Sequence, residues 1–362
     1  MWQKFLMKRM IDKSFVRWSE NRCLRNRNKQ SQCSLCEEIC PQPALVIEDG
    51  KLTFDHSTCS NCRLCIHVCP TEAFNYEFEQ LHKYEQKIQS YESVCFSCGE
   101  QGDSNTDVIL PCVSSLTPEM LMIATLHDKR VQILWDEKQC RSCKSNWTHE
   151  RDFSWVHEWN KSEASNNKVE IINKKEEKLA AKQKITRREL FSFTKNKTKE
   201  QLATLVFDSF DHAPNLKNKL PLTERRKYLL AYLQKNNETG IVPEKVAKKI
   251  GIVNISVTSN CKLCQKCSAT CPTGALTIVE TEDTKLLAFQ PQQCIDCDIC
   301  EHACLEISKH PIKFEEITLK KVLQKHKLTN CPSCGEKKLE FQNYCEECTV
   351  KHARKNILQQ SW

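Results

Sequence analysis

Residues 59–70 read CSNCRLCIHVCP, and residues 261–272 read CKLCQKCSATCP. Both are Cys-x2-Cys-x2-Cys-x3-Cys-Pro. Three thiols on one tight loop wrap a corner of a metal–sulfide core. The fourth points elsewhere and serves a second core, so two halves of such a unit cross at two sites. The closing proline has no N–H to offer and turns the chain away. Zinc sites and structural cysteines have no use for this twelve-residue pattern twice over.

Working outward, the pattern belongs to a larger repeat. CSLCEEICPQPALVI (33–47) matches CQKCSATCPTGALTI (264–278), and CSNCRLCIHVCPTEAF (59–74) matches CIDCDICEHACLEIS (294–308). The apolar alternations between the halves, ALVIEDGKLTFD and ALTIVETEDTKLLAFQP, read as pairs of short strands around a turn. The cysteine spacing is that of bacterial [4Fe–4S] sites. Over about 31–75 and 258–310 the chain resembles bacterial-type two-cluster ferredoxins, which are small α+β units with pseudo-twofold symmetry and transfer single electrons.

The resemblance implies the ligand sets. In the C-terminal unit, one cluster falls to Cys261, Cys264, Cys267 and Cys304, the other to Cys294, Cys297, Cys300 and Cys271. Leu305 stands where the usual proline follows Cys304. In the N-terminal unit, Cys59, Cys62, Cys65 and Cys40 form a full set. The other has Cys33, Cys36 and Cys69, with Gln30 at the opening position. A [3Fe–4S] cluster on three thiolates, a non-cysteine ligand, or Cys23 would each answer the gap. Cys23 is preferred, because its polar surroundings, NRCLRNRNKQSQC, offer no apolar face to bury it as core. The intervening chain also easily spans the distance. Four [4Fe–4S] clusters are expected, one of them open to the three-iron form.

The chain has 362 residues, 25 cysteines and a formal net charge of +8. It begins MWQKFLMKRMIDKSF, without an apolar signal region, and no apolar run approaches a membrane span. Paired cysteines without a signal indicate metal in a reducing compartment, and the cytoplasm is expected. The basic excess, as in NKKEEKLAAKQKITRRELFSFTKNKTKE, is interleaved with acids and reads as a solvated face, so nucleic acid is not an expected partner. Seven glycines leave little for a nucleotide- or flavin-binding loop.

The rest of the layout is α+β. We expect an N-terminal helical segment (1–30), a ferredoxin domain (31–90), a small cysteine-rich α/β domain (91–150), a charged helical linker (151–250), a second ferredoxin domain (251–314), then a short helix (315–327) and a zinc-ribbon-like tail within 315–362. TERRKYLLAYLQKN has apolar residues at helical spacing. The middle domain carries Cys95, Cys98, Cys112, Cys140 and Cys143 around strand, helix and strand, with parallel pairing open to it. It resembles the iron–sulfur delta subunit of methyl-viologen-reducing hydrogenases, which implies a [2Fe–2S] cluster. A zinc site of Cys95, Cys98, Cys140 and Cys143 is the competing reading. Cys331, Cys334, Cys345 and Cys348 form two Cys-x2-Cys knuckles that read as structural zinc.

ITRRELFSF (185–193) is similar to a twin-arginine motif, and also to the double arginine of the ferredoxin accessory to periplasmic nitrate reductase. Without a following apolar region, a helix start with Thr186 as N-cap and Glu189 as its partner is favoured. Two function classes emerge. One is a polyferredoxin serving a redox enzyme (a molybdopterin oxidoreductase, a hydrogenase or similar) and an electron donor. The other is a maturation factor docking such an enzyme's apo-form.

Overall fold

The computed structural model describes residues 16–76, 81–99, 101–102, 107–143, 153–161, 168–173 and 218–359. The 185–193 motif, with Thr186 and Glu189, lies outside the described residues, as does the start of the N-terminal segment.

Each cysteine-rich unit is organised in the same way. In the N-terminal one, Leu45–Glu48 and Lys51–Phe54 form an antiparallel hairpin, with Leu45 opposite Phe54. Asp49 and Gly50 make its turn at φ 49° and 76°, the left-handed pair that a two-residue hairpin loop needs. The unit closes where Arg17–Trp18 pairs with Phe74–Asn75. In the C-terminal unit the hairpin is Leu276–Glu280 with Thr284–Phe289, and the closing pair is Asn254–Val257 with Ile307–His310. Two short helices carry the cysteines in each: Leu35–Glu38 and Leu64–Val68, then Lys266–Thr270 and Ile299–Ala303.

Between them stands a four-stranded parallel sheet, ordered Val108–Leu110, Ser93–Cys98, Arg130–Leu134, Val169–Ile172. Parallel sheets need cover on their faces. Helix Pro118–Leu126 is buried along Pro118–Thr125, and helices Leu81–Gln89 and Glu224–Asn236 pack against it.

The structure departs from the sequence expectation in several places. In the segment 1–30 read as helical, Arg17–Trp18 is a strand of the first unit, and helix Leu81–Gln89, read as part of the ferredoxin domain 31–90, buries Leu81, Tyr84 and Ile88 in the core of the middle sheet. Within 151–250, read as helices and linkers, Val169–Ile172 is the fourth strand of the sheet. Helix Ser154–Lys161 buries Trp155, Val156 and Trp159, and helix Glu224–Asn236 buries Leu229, Tyr232 and Leu233 in the same core. Dense charge hid a helix face and a short apolar strand. The helix expected at 315–327 is absent. A single 3₁₀ turn at Phe314–Glu316 leads into the ten-residue strand Lys321–Asn330. That strand pairs with Thr284–Phe289 on one side and Lys337–Leu339 on the other, so the C-terminal hairpin grows into a four-stranded antiparallel sheet. The free edge of the hairpin overrides local helical spacing.

Candidate metal centres

The loops that present the cysteines share one backbone conformation. Asn61 and Arg63 follow Cys59 and Cys62 at φ 56° and 67°. Leu263 and Gln265 occupy the same places at 51° and 68°, and Asp296 and Asp298 at 50° and 60°. Left-handed residues are costly without glycine. Here they alternate so that successive N–H groups turn inward, as in an anion-binding nest. Asn61 N–H donates to Cys59 Sγ at 3.4 Å. The fourth loop, opened by Gln30, lacks this pattern: Ser34 has φ −129°. Gln30 is exposed, and its N–H donates to Asn28 Oδ1 at 2.8 Å.

Cys23 is buried in the core of the N-terminal unit. Its chain precedes the short helix Leu24–Arg27, and its side chain is buried with Cys36, Cys65 and Cys69. Burial pushes its thiol up, the amides of Asn26 and Arg25 pull it down, and Cys69 pushes it up again. Burial also pushes Cys33 up to about 11, with Leu35's amide opposing and Cys69 and Cys23 adding. Cys36 is raised by burial, then by Cys69, Cys33 and Cys23. Cys23, Cys36 and Cys69 are buried in one cluster, and Cys33 lies within electrostatic reach of Cys23 and Cys69.

Three more sets of cysteines lie within electrostatic reach of one another. Cys65 is raised by burial and by Cys62, Cys36, Cys59 and Cys40. Burial raises Cys62 too, with Cys40 and Cys59 adding. Cys267 is raised to about 12 by burial, Cys304, Cys261 and Cys264. Burial raises Cys294, with Cys271, Cys297 and Cys300 adding against the amide of Asp296. Cys271, Cys294, Cys297 and Cys300 line one cavity with Lys309. Lys309 is in turn ringed by the carboxylates of Asp296, Asp298 and Glu301. In three of the groups three thiols come from one loop and the short helix after it, with the fourth from the opposite half of the unit; in the Cys23 group the loop and helix give Cys33 and Cys36 only, and Cys23 comes from before helix Leu24–Arg27. Leu305 is 98% exposed and packs on nothing that a proline would have held.

The tail is tighter. Cys331, Cys334, Cys345 and Cys348 bring their sulfurs within 4.8 Å of one another, and Cys334 and Cys345 Sγ are 3.5 Å apart. A tetrahedral zinc with Zn–S about 2.3 Å spaces its sulfurs about 3.8 Å apart. Among the described residues this is the one donor group so close; the others leave more room at their centres. Burial opposes ionisation of Cys331, yet the amides of Cys345, Ser333 and Cys334 hold its thiol down to about 6. Gly335, at φ 82°, makes the knuckle's turn.

The middle cysteines are spread around the sheet. Cys95 is buried in mid-strand beside Leu134 and Ile172. Cys98 ends its strand, and Cys112 follows the end of the next, with its Sγ 2.9 Å from Ser114 Oγ. Cys140 lies in helix Glu137–Arg141 with Cys143 just beyond. Gln101 Nε2, in the turn after Cys98, donates to Cys140 Sγ at 3.4 Å. Cys98, Cys112, Cys140 and Cys143 thus follow the carboxyl ends of parallel strands, where open α/β sheets bind ligands.

Sequence reasoning missed what holds the two units together. Glu72 accepts from the N–H groups of Glu224 and Arg225 at 3.0 Å each, capping helix Glu224–Asn236. Arg225 donates to the carbonyls of His67 (2.7 Å) and Cys69. Arg226 donates to those of Cys294 (2.8 Å), Gly251 (3.0 Å) and Ile250 (3.2 Å). The adjacent arginines in TERRKYLL were the available signal.

Residues 31–73 and 260–306 each match the family model of the 4Fe-4S dicluster domain. No curated protein and no solved structure matches the chain. The chain thus carries two ferredoxin-type dicluster domains and a cysteine cluster near its C-terminus. Among the described residues, no helix is long and apolar enough to cross a membrane.

Proposed function

We propose that this chain is a polyferredoxin that passes single electrons to or from a partner redox enzyme. The observation that carries this reading is the match of both cysteine-rich units to the 4Fe-4S dicluster domain, supported by thiols from the two halves of each unit lying within electrostatic reach of one another. Cys23 takes the place that Gln30 leaves open, so the first unit holds two four-iron sites rather than a three-iron one. Each [4Fe–4S] cluster, when bound, takes up or releases one electron. The chain's residues supply the thiolates, bury them, and aim backbone N–H groups at the sulfurs, which sets potential. Burial raises the thiols of Cys33, Cys36, Cys65, Cys267, Cys294, Cys297 and Cys300, so loading releases protons from them.

Cys98, Cys112, Cys140 and Cys143 are proposed as a smaller iron–sulfur site, with Cys95 set apart in mid-strand. The tail group is proposed as structural zinc. The test is anaerobic purification with iron, acid-labile sulfide and zinc counted per chain. Four cubanes require about sixteen irons, and iron above that belongs to the middle domain. Mostly zinc with little sulfide would overturn the reading.

A further inference from the structure

The two dicluster units meet at a defined place. Leu24, Leu220, Ile295 and Ile299 form one small apolar cluster, and Cys33 and Cys297 both pack against it. Cys33 belongs to the Cys23 group and Cys297 to the Cys271 group, so these two sites are inner and face each other across the joint. The groups of Cys40 and Cys261 are outer. Cys33 and Cys297 also line one cavity of about 280 Å³, together with Glu119, Arg225 and Arg226.

The joint is clamped by hydrogen bonds directed at the ligand loops themselves. Arg225 reaches the carbonyl of Cys69 in one unit, and Arg226 that of Cys294 in the other. Both are on one helix, in adjacent positions. Lys219 Nζ donates to the carbonyls of Cys271 (2.8 Å) and Ser268 (3.0 Å), and Leu220 N–H to that of Pro272 (2.7 Å). Arg27 ties the first unit to the same strap through the carbonyl of Asn218.

The joint is also charged. Arg226 is 5% exposed and Glu119 3% exposed. The two interact electrostatically. One guanidinium nitrogen, Arg226 Nη1, and one carboxylate oxygen, Glu119 Oε2, have no hydrogen-bond partner. Charges held in so dry a place act strongly on their surroundings.

We propose that electrons pass between the two dicluster units across the Cys33–Cys297 joint, and that Arg225 and Arg226 are positioning residues that hold the joint closed and favour the reduced state of the inner sites. This rests on the polyferredoxin reading. In the step, one electron entering at an outer site from a one-electron donor protein moves to the neighbouring inner site. It then crosses the joint, oxidising one inner site as it reduces the other, and leaves at the far outer site to a one-electron acceptor. No bond or proton moves. Tunnelling falls off exponentially with the gap, so a joint that packs ligand cysteines against one apolar cluster is the fast crossing.

The test uses the full chain, reconstituted anaerobically, with iron and sulfide counted before an EPR-monitored dithionite titration. The inner N-terminal site is identified as the signal that Cys23→Ala alters. Arg226→Gln and Arg225→Gln are expected to load as much iron as the parent, lower the midpoints of the inner sites, and weaken the magnetic interaction between units. Glu119→Gln is expected to raise the same midpoints, and Arg225→Lys to keep the midpoints near the parent's. Opposite shifts from opposite charges are something a merely structural role does not produce. Fully loaded variants with midpoints and interactions identical to the parent would overturn the joint while leaving the polyferredoxin reading intact. A parent chain without iron and sulfide would overturn both. Should one arginine variant fail to load, the other and Glu119→Gln decide the matter, since they act from different elements.

Discussion

Cys23 and Cys69 are buried in one cluster, each within electrostatic reach of Cys33 and Cys36. Gln30 lies outside, exposed and turned to Asn28.

Cys23→Ala should therefore convert that site to a three-iron form, with an oxidised EPR signal that the parent lacks and about one iron fewer per chain. Gln30→Cys should change neither the iron count nor the spectrum. A three-iron signal already present in the parent would refute this assignment.

Metal binding by the tail, proposed as zinc, should depend on pH in a particular way. Cys331 is held down to about 6 by backbone amides, and Cys334 is pushed up to about 12 by its neighbouring thiols, against the amide of Glu336. Near neutral pH the thiols of this group are not all ionised, so metal capture must expel protons from it. Calorimetry in two buffers of different ionisation enthalpy should show proton release. Without metal, the depressed Cys331 contributes stability above its ordinary thiol range, which is lost as pH falls through about 6. Affinity for zinc should fall steeply below the same point.

Trp159→Ala should destabilise the middle domain by about 3–5 kcal/mol in denaturant unfolding, the range for a deleted core aromatic. Trp159 is 1% exposed and its ring centroid lies 5.9 Å from that of Tyr232. A cost below about 0.5 kcal/mol, typical of a surface site, would mean that 153–161 does not belong to this core.

Leu305→Pro should leave iron content and midpoints unchanged. The side chain is 98% exposed, and neither residue is a ligand. Loss of iron from the Cys261 group would show that the backbone N–H at 305, rather than the side chain, matters there.

Much of the candidate site was legible because its ligands are local. Cys59 and Cys62 sit on one loop and Cys65 in the short helix that follows it, so their spacing is read locally. Cys23 was legible only as a thiol with no other explanation; the Gln30 gap drew attention to it. The hairpins were written in apolar alternation and in Asp49-Gly50. The strand Lys321–Asn330 was not, since its partner Thr284–Phe289 lies far back in the chain and its sequence also fits a helix. Trp155 and Trp159 stand at helical spacing in a charged stretch, and their burial depends on a sheet assembled from elsewhere. Arg225 and Arg226 were read only as part of the helical stretch TERRKYLLAYLQKN. Only the tertiary structure puts ligand-loop carbonyls in front of them.

The packing of Leu24 against Ile295 and Ile299 has a consequence for biosynthesis. The first unit is complete when residue 76 leaves the ribosome, but its inner face stays bare until the segment near 299 emerges. At roughly 5–20 residues per second that wait is on the order of 10–45 s. During that interval the Cys23 group has no cover on that side. Oxygen reaching the nascent chain would find it first, so low oxygen or prompt escort during translation should raise the yield of intact protein.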